Sequence, residues 1–269
     1  MEKYSVLMSL YRNENPSYFR IAMDSMINQT VQPDEIVLVE DGPLTAELYS
    51  VVNEYSEYLH IVVNETNLGL GLALNKGLSA CRNELVARMD TDDIAELDRC
   101  EKQLCFFSQH PDVSVLGGQI EEFISDPNSV VGKRVVPESD EAVKLYMKKR
   151  CPFNHMTVMF KKADVIQAGN YQEWFWNEDY FLWIRLALKN FKFANLPDTL
   201  VHTRVGEDMY QRRGGRKYFE SEIGIQKLML SRKIIGLGTF IANCGKRFVV
   251  ELLLPNSIRG WVFRRFARE

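Results

Sequence analysis

Four times in its first 109 residues the chain follows a short apolar, β-branched run with a longer amphipathic one, and this alternation limits the possible folds more than any single motif. YSVLMSLY precedes PSYFRIAMDSMINQT, EIVLVE precedes LTAELYSVVNEYSEY, LHIVVNE precedes GLGLALNKGLSAC, and ELVARMD precedes a helix expected from about Ile94 to Gln109. Strands joined by helical crossovers run parallel, so the pattern predicts an α/β fold whose mostly parallel sheet is covered by helices. Such sheets bind ligands beyond the carboxyl ends of their strands. That edge gathers Arg12 to Glu14, Glu40-Asp41 and Asp90 to Asp93.

Beyond Asp112 the alternation loosens. VSVLGGQIEEF and TVMFKK are expected as strands, SDEAVKLYMKK and EDYFLWIRLALKN as helices, and FKFANL as a short strand. No polar linker separates this stretch from the first, so both halves belong to one domain, taken as residues 1–205. From about Arg212 the chain is expected to be helical, interrupted at Gly214-Gly215 and Pro255, which makes residues 206–269 a mostly helical extension.

Charge separates the same two parts. From Thr203 on, 14 Lys and Arg face 6 Asp and Glu, a balance of +8; against a whole-chain charge of −3 this leaves −11 for residues 1–202. A basic extension on an acidic body points to an anionic partner, either a phosphate-bearing substrate or an anionic membrane surface, or else to a solvated face with no partner. No nucleic-acid partner is expected. The five cysteines are odd in number and form no CxxC pair, which fits buried, reduced thiols of a cytosolic protein rather than a disulfide framework or a zinc site. No secretory leader is expected, since MEKYSVLMSLYRNE breaks its apolar run at Arg12, and no stretch approaches the roughly 18 apolar residues of a membrane span.

The densest chemistry lies in VARMDTDDIAELDR. Asp90, Asp92 and Asp93 follow an apolar strand, where uncompensated negative charge is expensive. One use is structural: Asp92 or Asp93 caps the helix expected from Ile94. The other is a site for Mg2+ or Mn2+, held by one or two carboxylates and completed by substrate phosphates. VLVEDGP offers Asp41 either as part of an Asp-Gly turn or as an acceptor for the N–H of a base or a ribose hydroxyl. In FWNEDYFLW, Asn177 is positioned to cap a helix whose first turn holds Glu178 and Asp179. Around them Trp174, Phe175, Trp176, Tyr180 and Trp183 are either core or a sugar-stacking wall that raises the pKa of a general base. In NLGLGLALNKGL the Gly69-x-Gly71 pair has Leu74 where a dinucleotide fingerprint needs glycine, which argues against a dehydrogenase. The four histidines, His155 among them, form no close pair.

Taken together these motifs resemble the family 2 glycosyltransferases, inverting enzymes of the GT-A fold, and in particular those that build bacterial capsular and exopolysaccharides. The likeness runs from SVLMSLYRNE through VLVEDG, NLGLGLALNKGL and ARMDTDD to NEDYFLWIRL, and RVGEDMYQRRGGRKYFESEI and LLLPNSIRG resemble the tail of the amylovoran-type subgroup. The resemblance implies that Tyr11, Glu14, Asp41, Asn67 and Asp90 contact a nucleotide-sugar, that Asp92 of the D-x-D triplet binds the metal, and that Asp179 is the catalytic base. It also implies a Rossmann-like domain over 1–205, single-sugar transfer from a nucleotide-diphosphate sugar, UDP-linked, and a lipid-linked saccharide acceptor. Asp179 would take the proton of an acceptor hydroxyl opposite the leaving diphosphate.

Two departures stand out: the usual Asp-Asp-Gly-Ser turn is Glu40-Asp41-Gly42-Pro43, and the QxxRW motif of processive synthases is absent. Acceptor or phosphate contacts are expected from His155, Glu178, Arg204, Arg212 and Arg213. RGWVFRRFARE mixes aromatics with arginines in a manner suited to a membrane interface, though its apolar and basic positions do not separate on a helical wheel. The expected location is cytoplasmic, peripheral on the inner face of the membrane. A nucleotidyltransferase is the alternative enzyme, but SLYRNENPS lacks the glycines of its phosphate loop. A non-catalytic nucleotide-sugar-binding assembly protein is the alternative outside catalysis.

Overall fold

The expected alternation builds one half of the sheet in the computed structural model, which describes residues 2–206 and 214–254. β1 (Tyr4–Leu10), β2 (Glu35–Asp41), β3 (Leu59–Asn64) and β4 (Leu85–Arg88) alternate with α1 (Pro16–Ile27), α2 (Ala46–Glu54) and α3 (Leu70–Ala80). β1 pairs in parallel with β2 and β4, and β2 with β3. β2 is buried along its whole length, which explains its unbroken apolar run. α1 starts where the Asn15 side chain accepts from the amides of Ser17 and Tyr18, with Pro16 in the first turn.

The other half is mixed. β8 (Met159–Lys161) runs antiparallel to β4, and β6 (Val113–Phe123) antiparallel to β8. β9 (Lys192–Arg204) lies parallel to β6, β5 (Ile94–Ala95) antiparallel to β9, and β7 (Val130–Arg134) beside β6. Among the described residues the strand order is β3-β2-β1-β4-β8-β6-β9-β5. Among the described residues, the helices of this part and the extension are α4 (Arg99–Gln109), α5 (Asp140–Met147), α6 (Lys162–Gln167), α7 (Glu178–Leu188), α8 (Arg216–Ser231) and α9 (Leu237–Arg247), which runs on into a π turn, Phe248–Leu253.

Two expectations need correction. No helix begins at Ile94: Ile94 and Ala95 pair with His202 and Val201 of β9, and α4 starts only at Arg99. The short strand expected from FKFANL extends to 13 residues, because the pairing with β6 shifts register between Gly117 and Gln119 and so passes over Pro197, which has no N–H to offer. The sheet carries an apolar cluster on each face. On one of them Trp183 of α7 packs in the same cluster as Ile225 and Met229 of α8, so the helix bearing Glu178 and Asp179 is anchored by the extension.

Candidate active site

β4 delivers Arg88 and the acidic triplet to the carboxyl edge of the sheet. Ligand oxygens of Asp90, Asp92 and Asp93 lie within 4.8 Å of one another. The capping role considered for Asp92 or Asp93 is ruled out, since α4 begins after Asp98. Asp93 instead ties the triplet to β9: its Oδ1 accepts from the Arg204 amide at 2.8 Å, while its buried Oδ2 has no partner. Burial, then the charge of Asp92, pushes the Asp93 carboxyl well above the carboxylate range; burial, then Asp90, pushes Asp92 up to about 6. Crowded carboxylate oxygens with one orphaned among them are the donor set of a hard divalent cation, so these residues fit Mg2+ or Mn2+. Asp90 is ion-paired with buried Arg88, whose Nε and Nη1 make no hydrogen bond.

The ends of β1 and β2 place further polar groups on the same edge of the sheet. Tyr11 and Glu14 share a turn after β1, with the Glu14 amide donating to the Tyr11 carbonyl at 3.1 Å. Asp41, buried at the end of β2, clamps the loop before α3: its Oδ1 accepts from Asn64 Nδ2 (2.9 Å) and the Leu68 amide (2.8 Å), and its Oδ2 from the Gly69 amide (3.0 Å). A carboxylate accepts about four hydrogen bonds, so Asp41 keeps roughly one site for a ligand. Gly69 meets Asp41 with φ +86°, a conformation that favours glycine, and Asn67 is exposed on the same loop.

Glu178 and Asp179 open α7. Asn177 does not cap this helix with its side chain; its Nδ2 donates to Ser221 Oγ of α8 at 3.1 Å. The Asp179 carboxylate is oriented from both sides, by the Tyr180 amide on Oδ1 (2.6 Å) and the Cys151 thiol on Oδ2 (3.4 Å). Burial raises its pKa; burial, then the Asp179 charge, raises Glu178 to about 7. Gly71 lets the start of α3 approach closely, since a Cβ there would sit 2.9 Å from the Gln172 carbonyl and 3.1 Å from Glu178 Cβ. The Gly-x-Gly pair thus serves Asp41 and α7.

These acids line a cavity of about 660 Å³, with Arg134, Trp174, Trp176 and Arg247 among its other walls. Asp90 and Asp92 are not part of its lining. Arg88 connects the two places, because its charge favours the ionised forms of Asp92 and Asp93 on one side and of Glu178 and Asp179 on the other. The aromatics divide: Tyr180 and Trp183 are core, whereas Phe175 and Trp176 stand 45% and 46% exposed. His155 Nε2 lies 2.9 Å from the Tyr171 hydroxyl, and burial, then Arg88, holds its pKa well below the ordinary value, so it is neutral. Arg204 lies beside the triplet, stacked on Tyr18 (3.7 Å) and Phe123 (4.5 Å). Arg212 and Arg213 fall outside the described residues. Arg88, Arg134 and Arg247 are not among the residues expected from the sequence; a lone cation inside the apolar LVARM is the visible signal for the first.

Residues 5–166 match the family described as Glycosyl transferase family 2. The chain is 38% identical over 268 residues to the UDP-Gal:alpha-D-GlcNAc-diphosphoundecaprenol beta-1,3-galactosyltransferase of Escherichia coli, covering 99% of this chain and 97% of that one. It is 41% identical over 235 residues to an amylovoran biosynthesis glycosyltransferase of Erwinia amylovora, covering 87% of this chain and 88% of that one. Among solved structures, S. aureus TarS residues 1–349 superposes with a TM-score of 0.67 at 20% identity, over 97% of this chain and 74% of that one. TarS 1–349 has also been solved in complex with UDP-GlcNAc, with a TM-score of 0.67 to this chain at 20% identity, over 92% of this chain and 72% of that one. At that identity the likeness concerns the fold, which is of the GT-A type.

Proposed function

The chain belongs to glycosyl transferase family 2, and we propose that it is an inverting, metal-dependent transferase that moves one sugar from a UDP-linked donor to a hydroxyl of a lipid-linked saccharide in bacterial polysaccharide assembly. The observation that carries this reading is the pairing of two acidic places across Arg88. One suits a cation and diphosphate, and the other is a recessed carboxylate in a sugar-sized cavity. The donor class is supported by the name of the galactosyltransferase relative and by the UDP-GlcNAc complex of the structural neighbour.

On this reading Tyr11, Glu14, Asp41, Asn67 and Asp90 face the nucleotide, and Asp92, with Asp93 beside it, holds Mn2+ or Mg2+. When bound, the cation supplies charge neutralisation for the departing diphosphate. Asp179 takes the proton of the acceptor hydroxyl, the acceptor oxygen bonds to the anomeric carbon, and the bond from that carbon to the phosphate oxygen breaks, its electron pair leaving with UDP. Attack from the cavity side, opposite the diphosphate, inverts the anomeric centre. A base whose pKa is lifted by burial takes a proton more readily than an exposed aspartate, and the Tyr180 amide and Cys151 thiol keep it aimed. Phe175 and Trp176 offer exposed ring faces for the acceptor sugar, and Glu178 lines the same cavity, whereas His155 is turned to the Tyr171 hydroxyl. The acceptor is met at the cytoplasmic face of the membrane; among the described residues no helix is long and apolar enough to cross it.

The test is transfer from UDP-galactose and UDP-GlcNAc to a synthetic saccharide diphosphate bearing a short alkyl chain, with Mn2+ or with chelator, and the product linkage read by NMR. A β-linked product formed only with metal is expected. Retention of configuration, or full turnover in chelator, would refute the proposal.

A further inference from the structure

α9 and the π turn that continues it are built inside out. Their polar residues Asn243, Arg247 and Glu251, spaced by four, face inward, and Asn243 and Glu251 are only 8% and 3% exposed. Asn243 Nδ2 donates to the Lys148 carbonyl and to Gln226 Oε1, both at 2.8 Å, and Arg247 pairs with Glu222 at 2.8 Å. Phe240 packs against the core, but most apolar residues face out: Leu237, Ile241 and Leu253 are 63%, 60% and 60% exposed, and Phe248, Val249 and Leu252 are exposed as well. A helix on a water-soluble surface turns its apolar stripe to the core, so a continuous apolar face turned away from it marks a contact surface.

Charge identifies what that contact is. Among the exposed charged side chains from 214 to 254, six are Lys or Arg and one, Glu220, is acidic. Lys227 reaches Cys244 of α9 electrostatically, and Lys246 lies on α9 itself. The chain then continues directly into a sequence with four arginines and Trp261, Phe263 and Phe266 before any acid occurs. An apolar face bordered by cations matches an anionic bilayer surface, where the apolar side chains enter the acyl boundary and Lys and Arg meet the headgroups. The inner side of the same segment, through Arg247 and Glu251, lines the 660 Å³ cavity beside Asp179. One helix diameter, about 10 Å, therefore separates the apolar face from the cavity.

We propose that the outer face of α9 and the π turn docks the enzyme on an anionic membrane and so presents the cavity to an acceptor anchored there. This rests on the acceptor being lipid-linked. The test is co-sedimentation of the full chain with phosphatidylcholine vesicles, with and without phosphatidylglycerol, for the wild type, Ile241→Glu/Leu253→Glu, and Leu145→Glu as a control on α5. UDP binding is measured on every sample. Wild type and the control are expected to bind the anionic vesicles in a salt-sensitive way, and the double variant to partition about tenfold less or weaker, with UDP binding unchanged. Double-variant binding equal to wild type, no wild-type binding, or a solution dimer that the double variant dissociates would each overturn the surface. Absent UDP binding by a wild type that still binds vesicles would instead strike the transferase reading and leave the surface standing.

Discussion

Replacing Asp92 by asparagine is expected to make the metal-free protein more stable, although it disables the site. In the folded chain burial and the Asp90 charge lift the Asp92 carboxyl from 3.8 to about 6. A carboxylate whose folded pKa is raised contributes its stability when protonated; that contribution is complete below the unfolded value and is lost as pH rises through about 6. A lift of about two units corresponds to roughly 3 kcal/mol of destabilisation at pH 8, at about 1.4 kcal/mol per unit. Asparagine keeps the shape and removes the charge, so most of that amount is recovered.

For a chain of 269 residues, an unfolding entropy of about 2.1 cal/mol/K per residue turns roughly 3 kcal/mol into a rise of about 5 °C in Tm. The assay is thermal unfolding followed by circular dichroism at pH 8 and at about pH 4, in chelator and in Mn2+. The variant should melt higher than wild type in chelator at pH 8, and the gap should close near pH 4, where both side chains are neutral. Mn2+ should raise the wild type and leave the variant nearly unmoved. A variant less stable than wild type in chelator at pH 8 would show that the triplet is not held under repulsion. An equal response of both proteins to Mn2+ would remove Asp92 from the ligand set.

Asp179→Asn should lower kcat by about 10²- to 10⁴-fold while calorimetry shows UDP binding unchanged; near-normal turnover would exclude Asp179 as the base. Because a protonated base cannot act, and burial raises the Asp179 carboxyl, the rate should fall toward acid pH from above the ordinary aspartate range, and Glu178→Gln should shift that limb to lower pH by removing a neighbouring charge from the pair. Gly71→Ala places a methyl 2.9 Å from the Gln172 carbonyl and 3.1 Å from Glu178 Cβ, and should cost about 1–3 kcal/mol in denaturant unfolding together with a drop in kcat. Asp41→Asn turns an NH2 group toward amides that now donate to the carboxylate, and should cost about 1–3 kcal/mol and raise the donor KM.

What the sequence made legible is what short-range pattern determines. The parallel half of the sheet follows from β-then-α alternation, and β1 to β4 fall where those runs predict them. In the mixed half β6 and β8 fall within the runs VSVLGGQIEEF and TVMFKK, but β5 has only two residues, too few for a period, and Pro197 conceals the length of β9. The acidic triplet was visible as composition. Its repulsion was not, since that depends on burial and on a backbone amide from Arg204, 111 residues further along.

The local rules that fail in this chain fail close to where chemistry is proposed. Asp92 and Asp93 follow a strand but cap no helix, because Ile94 and Ala95 are taken into the sheet by β9, and so their oxygens stay available to a cation. Asn177 stands at the start of α7 but spends its amide on Ser221, which ties the helix to the extension that closes the cavity. In α9 and the π turn that follows, Phe240 alone of the larger apolar α9 side chains packs on the core, Arg247 and Glu251 reach the cavity, and Leu237, Ile241 and Leu253 are left outward. In the first two cases the local use of a residue gives way to a distant partner, and at the triplet this carries a cost in stability that the Asp92→Asn measurement would expose. Strain of this kind persists where binding a ligand relieves it, which is why these departures, more than any motif, mark out the working surface of the molecule.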